Sequence, residues 1–273
     1  MKLKGMILAI LLVFTAACSK ENTVNKRLDT ILKKKELVVV TSPDFAPYEF
    51  IDSNKSGQDK YVGADIELAK YIAEKLGVTL KIEAMDFDNV LASITQKRAD
   101  LAISGLGYKK DRAETMELSD PYNISDENCH GLLVPAEQAA QYLTLEAFQG
   151  KKVAAQNASL QLDYTTAQIP DVKLELISSL QDGILMLQTN KIDALATTCK
   201  TGEQFVISYE NLVMAEAKFV VDDNSGTVIG ITKGEVALLE KINEIIKEVV
   251  DQGLYAEWEE EYTAYAAKLG AGE

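Results

Sequence analysis

The sequence predicts an α/β protein of two similar lobes joined by two chain crossings. Three observations lead there: short apolar strands alternate with amphipathic helices, the alternation starts again past the middle of the chain, and two extended stretches stand where the chain would pass between the units. Leu37-Val-Val-Val-Thr41 is a continuous apolar, β-branched run, the pattern of a strand buried on both faces of a sheet. Asp65 is expected to cap a helix running to Leu76, with Ile66, Ala69, Ile72, Ala73 and Leu76 on one face and Gly77 closing it. Residues 80–84 read as a strand, 90–97 as a short helix and 99–104 as a third strand, an order that implies a parallel sheet with right-handed crossovers. The second unit repeats it, with strands at 152–155, 173–177 and 192–197 and helices at 159–168 and 179–189. Residues 128–134 and 219–223 are the two crossings. A last strand at 227–232 and a long amphipathic helix at 235–251, ending at Gly253, have no unit of their own to complete and are expected to return to the first.

Residues 1–17 read as an address. Lys2 and Lys4 precede the apolar run Met6-Ile-Leu-Ala-Ile-Leu-Leu-Val-Phe14, which is shorter than the roughly 20 residues a membrane-spanning helix needs, and small residues follow at Ala16 and Ala17. This is the pattern of a secretory signal peptide. Thr15-Ala-Ala-Cys18 resembles the lipobox of bacterial lipoproteins, although Thr15 stands where an aliphatic residue is usual. The resemblance implies acylation of Cys18 and an extracytoplasmic, membrane-anchored chain, with residues 18–35 as its tether and the polar stretch Ser19 to Asn25 as the tether's first part. The net charge of −14 comes without a basic patch, which argues against nucleic acid as a partner.

The residue inventory narrows the chemistry further. No glycine-rich phosphate loop follows the first strand, because Thr41-Ser-Pro-Asp-Phe-Ala-Pro-Tyr48 takes its place. Neither a Ser/His/Asp set nor a helix-borne histidine pair is found; with a single histidine, His130, in an apparent hinge strand, general acid/base chemistry would have to rest on carboxylates or lysines, and no catalytic residue or cofactor is assigned. Cys129 and Cys199 remain after the signal; in an exported chain they either pair or stay free, and sequence does not decide. No metal site is expected, because no Cys or His pair has zinc spacing and Cys129 and His130 are adjacent, pointing to opposite faces of a strand.

Over residues 36 to 262 the chain resembles the polar amino-acid-binding family of extracellular solute-binding proteins that serve ABC importers. The matching stretches come in family order: Val39-Val-Thr-Ser-Pro-Asp-Phe-Ala-Pro-Tyr-Glu-Phe50, Tyr61-Val-Gly-Ala-Asp-Ile-Glu-Leu-Ala69, Asp86-Phe-Asp-Asn-Val-Leu91, Ala99-Asp-Leu-Ala-Ile-Ser-Gly-Leu-Gly107, Asp111-Arg112, Leu118-Ser-Asp-Pro-Tyr122, Lys191-Ile-Asp-Ala-Leu195 and Gly253-Leu-Tyr-Ala-Glu-Trp258. The resemblance implies a two-lobed periplasmic-binding-protein fold of type II, each lobe a mixed sheet flanked by helices, joined by two hinge strands. Residues 36–128 with 224–262 would form lobe 1, and 129–223 lobe 2 with the crossings. It further implies capture of an amino acid or amino-acid-like carboxylate in the cleft, and delivery by a monomer to an ABC permease whose ATPase is a separate chain. A cyclohexadienyl dehydratase-like enzyme on the same fold is the alternative, and an exported adhesin or sensor a third reading.

Family roles carry over position by position. Arg112 stands where the family holds the ligand carboxylate; by itself it would read as a surface residue of the charged loop 109–112. Gly105 falls where backbone groups face the ligand, and Gly107 where many members carry a hydroxyl. Ser159 and Leu160 open a helix whose amides would point at the carboxylate, Ser159 also serving as an N-cap, and Gln156 on the same loop would line the side-chain end. Phe45 matches the aromatic residue that stacks on the ligand side chain. Ala64 replaces a frequent second ring, so a roomier pocket is expected there. Ser42 and Thr198 stand where carboxylates are usual, Thr198 at the place of the α-ammonium partner. Three explanations compete: Asp44 or Glu203 takes that role, the ligand lacks a free α-amine, or the loop is aligned out of register.

Overall fold

The structure is a computed structural model that describes residues 26–124, 128–221 and 226–270. The signal segment, Cys18 and Ser19 to Asn25 lie outside the described residues, as do residues 125–127 and 222–225 of the two connections. Among the described residues no helix is long and apolar enough to cross a membrane.

The chain opens with α1 (Lys26–Lys34) and β1 (Glu36–Thr41), then forms a small antiparallel sheet of β2 (Asp44–Phe45), β3 (Glu49–Ile51) and β4 (Tyr61–Val62). Next come α2 (Ala64–Leu76), β5 (Thr79–Ala84), α3 (Phe87–Thr95), β6 (Leu101–Ala102), α4 (Lys110–Thr115) and β7 (Met116–Leu118). The second run is β8 (His130–Pro135), two short 3-10 turns, β9 (Lys152–Gln156), α5 (Leu160–Gln168), β10 (Lys173–Ile177), α6 (Leu180–Gln188), β11 (Ala194–Thr198), α7 (Cys199–Ser208) and β12 (Leu212–Lys218). The chain closes with β13 (Gly230–Thr232), α8 (Val236–Asp251) and α9 (Leu254–Leu269).

Two five-stranded sheets result, in the orders β5-β1-β6-β13-β7 and β10-β9-β11-β8-β12. Each has three parallel strands followed by a strand that is antiparallel to both of its neighbours. The repeat is therefore topological as well as periodic. In each sheet the strand order reverses at the first parallel strand, β1 or β9, and a crevice opens beyond its carboxyl end, the usual ligand position in α/β folds. The strand cores explain the apolar runs: Leu37, Val39 and Val40 have no exposed surface, and neither do Val153, Ala154 and Ala155.

Several expectations need correction. Asp65 is not a cap. Gly63 holds the N-cap position of α2, and Asp65 is fully buried, accepting from Gly105 N at 2.7 Å and from the hydroxyls of Tyr122 (2.9 Å) and Tyr255 (2.6 Å). A carboxylate in the first helical turn looks the same in sequence whichever donors it meets. The tether assigned to residues 18–35 is helical from Lys26: Ile31 is buried against the first sheet, and Arg27 pairs with Asp100, whose other oxygen accepts from Val38 N. The closing helix runs past 262 to Leu269 because Tyr262, Tyr265 and Leu269 pack on the small sheet around Phe50. The first crossing, read as a strand between units, is for the most part β8, an internal strand of the second sheet. The elements β12, α4 and α7 had no periodic signal strong enough to read.

Gly63 is required by its backbone. Its φ is +128°, and a Cβ there would lie 2.1 Å from the Tyr48 carbonyl oxygen. Gly63→Ala is expected to destabilise by about 1–3 kcal/mol, read as a lowered urea midpoint at unchanged slope.

Candidate functional site

A cavity of about 170 Å³ lies between the carboxyl ends of the two sheets. Ser42, Phe45, Gly105, Gly107, Arg112, Gln156, Ser159, Leu160 and Thr198 all border it, so nine of the ten predicted positions converge although they come from both halves of the chain. The tenth does not. Ala64 is fully buried, its N–H donates to Pro47 O at 3.1 Å, and its side chain belongs to the core of the first lobe. The room expected from its small side chain is therefore not in the cavity; Tyr48 borders the cavity beside Phe45, the two rings stacked at 5.4 Å.

Arg112 is 6 % exposed and projects from α4 into the cleft. Its Nη1 donates to Gly107 O at 2.6 Å and its Nη2 to Ala158 O at 2.8 Å across the cleft, while the guanidinium sits 5.5 Å over the Phe87 ring. Burial pulls its pKa down to about 10, so it remains cationic at neutral pH. Opposite it, Ser159 caps α5 by accepting from Leu162 N at 3.1 Å. The Ser159 amide donates to Gln156 O, so it is spent within the turn, whereas Leu160 N belongs to the first turn of α5, where N–H groups lack helical partners. The Gly105 amide is likewise committed, to Asp65, which leaves that residue's carbonyl. Gly107 has a use the sequence did not show: a Cβ there would lie 2.5 Å from Leu160 Cδ1, so the missing side chain makes room for the second lobe.

Among the described residues three carboxyl groups border the cavity, in different settings. Glu49 is buried beneath Gly105; its Oε1 accepts from Ser104 Oγ at 3.1 Å, its Oε2 is buried with no hydrogen-bond partner among the described residues, and burial, with the Asp65 charge adding to it, pushes its pKa well above the usual carboxylate range. Glu203 lies on the exposed side of α7. Asp44 crosses the cleft: its Oδ2 accepts from Leu180 N at 2.7 Å, at the start of α6, and from Gln156 Nε2 at 3.1 Å, and its Oδ1 accepts from Ser42 Oγ at 2.9 Å. Burial, the largest cause, and the nearby Asp86 charge push Asp44 up from 3.8 to about 6. With the folded pKa above the unfolded one, the folded chain keeps its extra proton between those two values. The stability this contributes is fully present below the unfolded value and is lost as pH rises through about 6. The Tm difference between the natural chain and Asp44→Asn is expected to shift against the natural chain from pH 4 to pH 7; a constant difference would contradict the assignment.

On the remaining wall Lys200 is the charged side chain, its Nζ paired with Glu259 Oε1 at 2.6 Å. Thr198 Oγ1 accepts from Thr201 N at 3.2 Å and so caps α7. Cys129 and Cys199 are joined by a disulfide, which settles the alternative left open by sequence. His130 also borders the cavity, with Nε2 2.9 Å from Asn128 Oδ1 and Nδ1 2.9 Å from Gln161 Nε2; burial lowers its pKa to about 4, which keeps the ring neutral. Sequence reasoning missed Tyr48, Phe87, Gln161 and Tyr164 as lining residues, and only Tyr48 and Phe87 lie within stretches that carried the family pattern. Asp193 is structural: its carboxylate accepts from Lys152 N at 2.8 Å.

Residues 37–143 match the model of the bacterial extracellular solute-binding proteins, family 3. The arginine-binding extracellular protein ArtP of Bacillus subtilis is 28% identical over 225 residues, spanning 81% of this chain and 83% of that protein. An amino acid ABC transporter substrate-binding protein from Streptococcus pneumoniae, solved with L-arginine bound, superposes with a TM-score of 0.81 at 30% identity, covering 87% of this chain and 98% of the other. The chain belongs to this solute-binding family. Its fold is the two-lobed type II fold, shared also with the arginine-bound form of truncated ArgBP from T. maritima (TM-score 0.73, 30% identity, 81% of this chain and 99% of the other). The cavity between the two sheets is thus the inter-lobe cleft of a family of extracellular transport proteins, and contacts such as Lys109 Nζ to Asp163 Oδ2 at 2.6 Å and Asn157 Nδ2 to Asp88 Oδ2 at 3.0 Å join the lobes around it.

Proposed function

We propose that this protein captures an amino acid or a closely related carboxylate between its lobes and delivers it to an ABC permease driven by a separate ATPase. The observation that carries the reading is the buried Arg112 guanidinium in the inter-lobe cavity, facing the first turn of α5. A guanidinium presents paired donors to a carboxylate and the helix start adds amide donors, so one end of the cavity favours that group. Ligand contacts from both lobes stabilise the closed form differentially, which is what a permease can read. The binding of L-arginine by relatives makes it the first compound to test. Residues 26–124 with 226–269 act as the first lobe, 128–221 as the second, and the connections between them as hinges. Cys18, acylated after removal of residues 1–17, anchors a monomer outside the cytoplasmic membrane, and the protein binds without turning its ligand over.

Mass spectrometry of small molecules that co-purify with the chain, followed by thermal-shift measurements with the compounds found, tests this directly. A bound amino acid or carboxylate that raises Tm in proportion to its affinity is expected. No shift with any amino acid, amino-acid derivative or small carboxylate overturns the reading.

A further inference from the structure

Polar contacts other than those of Arg112 also join the lobes, and they differ in setting. Lys109 pairs with Asp163 at 2.6 Å and Lys200 with Glu259 at 2.6 Å, but the two lysine side chains are 31 % and 41 % exposed. Exposed pairs of this kind add little, because water screens them and two long side chains must be ordered. Asn157 gives Asp88 one hydrogen bond, at 3.0 Å. Asp44 is placed differently. It lies on β2, in the small sheet whose Phe50 and Val62 pack against Tyr262 and Tyr265 of α9. Its carboxylate reaches the second lobe, where Oδ2 accepts from Leu180 N at 2.7 Å and from Gln156 Nε2 at 3.1 Å. The next residue, Phe45, packs against the apolar cluster of the second lobe that contains Leu180, Ile184 and Leu195. β2 is therefore seated on the second lobe by a charged contact and an apolar one side by side.

Leu180 N is the first N–H of α6 and has no acceptor within the helix. Ser179 caps the helix from its own lobe by accepting from Asp182 N at 3.2 Å, and Leu180 N goes to the carboxylate of the other lobe. An anion is favoured at a helix start, and a hydrogen bond to a charged acceptor is stronger than one between neutral groups. Both bonds to the second lobe break when the lobes separate, whereas the bond from Ser42 Oγ to Oδ1, at 2.9 Å, stays within the first. The same contacts fix what two cavity-lining side chains can present. Gln156 Nε2 is committed to Asp44 and to Ser178 O at 3.0 Å, and the Ser42 hydroxyl hydrogen to Asp44, so each has only oxygen to offer a ligand.

We infer that Asp44 is a positioning residue for lobe closure: it holds the second lobe through Leu180 and Gln156, and so sets the closed fraction and the rate at which ligand leaves. The inference rests on the lobes opening and closing around a ligand, as proposed above. Hydrogen exchange at the Leu180 amide, followed by NMR at pH 7 on the chain without ligand, reads the contact directly. In Asp44→Ala this amide is expected to exchange at least about 10-fold faster, while the Ile184 amide inside α6 keeps its rate. Stopped-flow binding of L-arginine is expected to show release at least about 10-fold faster, with association within about 3-fold, because the contact forms after encounter. Asp44→Asn keeps one acceptor oxygen and should fall between, and Lys109→Ala should change release by less than about 3-fold.

A Leu180 rate that Asp44→Ala leaves unchanged overturns the inference. Faster release with an unchanged Leu180 rate also overturns it, because Asp44 would then act on the ligand and not on the other lobe. Acceleration throughout α6 in Asp44→Ala would mark a loss of fold, and the same two rates in Asp44→Asn then decide. Absence of L-arginine binding counts against arginine as the ligand of the proposed function, and the exchange rates, which need no ligand, still decide the inference.

Discussion

Arg112→Ala is expected to weaken a carboxylate ligand by about 2–5 kcal/mol, the range for removing one partner of a buried, hydrogen-bonded charge pair. The variant loses the cation, and it also strips Gly107 O and Ala158 O of their donors, 2.6 and 2.8 Å away, on opposite lobes. Those carbonyls must then find water or remain unpaired. Arg112→Lys should fall between, because a single ammonium cannot serve two carbonyls and a carboxylate with the geometry of a planar fork. Calorimetry gives the affinity loss, and urea unfolding of the same variants separates it from loss of fold. Unchanged affinity in Arg112→Ala would place the carboxylate elsewhere. Since burial leaves the Arg112 pKa at about 10, its contribution should be constant from pH 5 to pH 8.

The second large effect concerns the disulfide. Cys129 and Cys199 are 70 residues apart in sequence, and their bond ties the residue preceding β8 to the first residue of α7. For a loop of that length the restriction of the unfolded chain corresponds to about 4 kcal/mol at 25 °C. Replacing both cysteines by serine is expected to lower the unfolding free energy by up to this amount. Ligand affinity should fall as well, because the bond holds Thr198 and His130 in place on the cavity wall. Urea unfolding of the natural chain with and without a thiol reductant makes the comparison without mutation; a midpoint that does not move would show that the bond is absent from the protein in solution.

How much was legible in the sequence varies by residue. The α5 start is a good case. Ser159 followed by an apolar-periodic stretch signals an N-cap, and the cap hydrogen bond is present. The repeated strand-helix order was legible for the same reason, since periodicity of apolar residues records which face of each element is covered. The convergence of Phe45, Gly105, Arg112 and Gln156 was legible only through ordered family motifs, because none of these residues carries a local signal of its own. Ala64 shows where that transfer stops. A ring at this position needs space toward the cleft, whereas alanine lets the first turn of α2 pack flush into the core.

Periodicity and capping therefore determined the two α/β units and the helix start opposite Arg112, because both depend on neighbours within a few residues. Tertiary structure alone decided which carboxyls are charged, committed or neutral. Asp44 meets Leu180 N across 136 positions, Asp65 meets Tyr255 across 190, and Cys129 meets Cys199 across 70. The state of a buried acid is fixed by desolvation and by the donors that reach it, and in this protein those donors arrive from other elements, and for Asp44 from the other lobe as well.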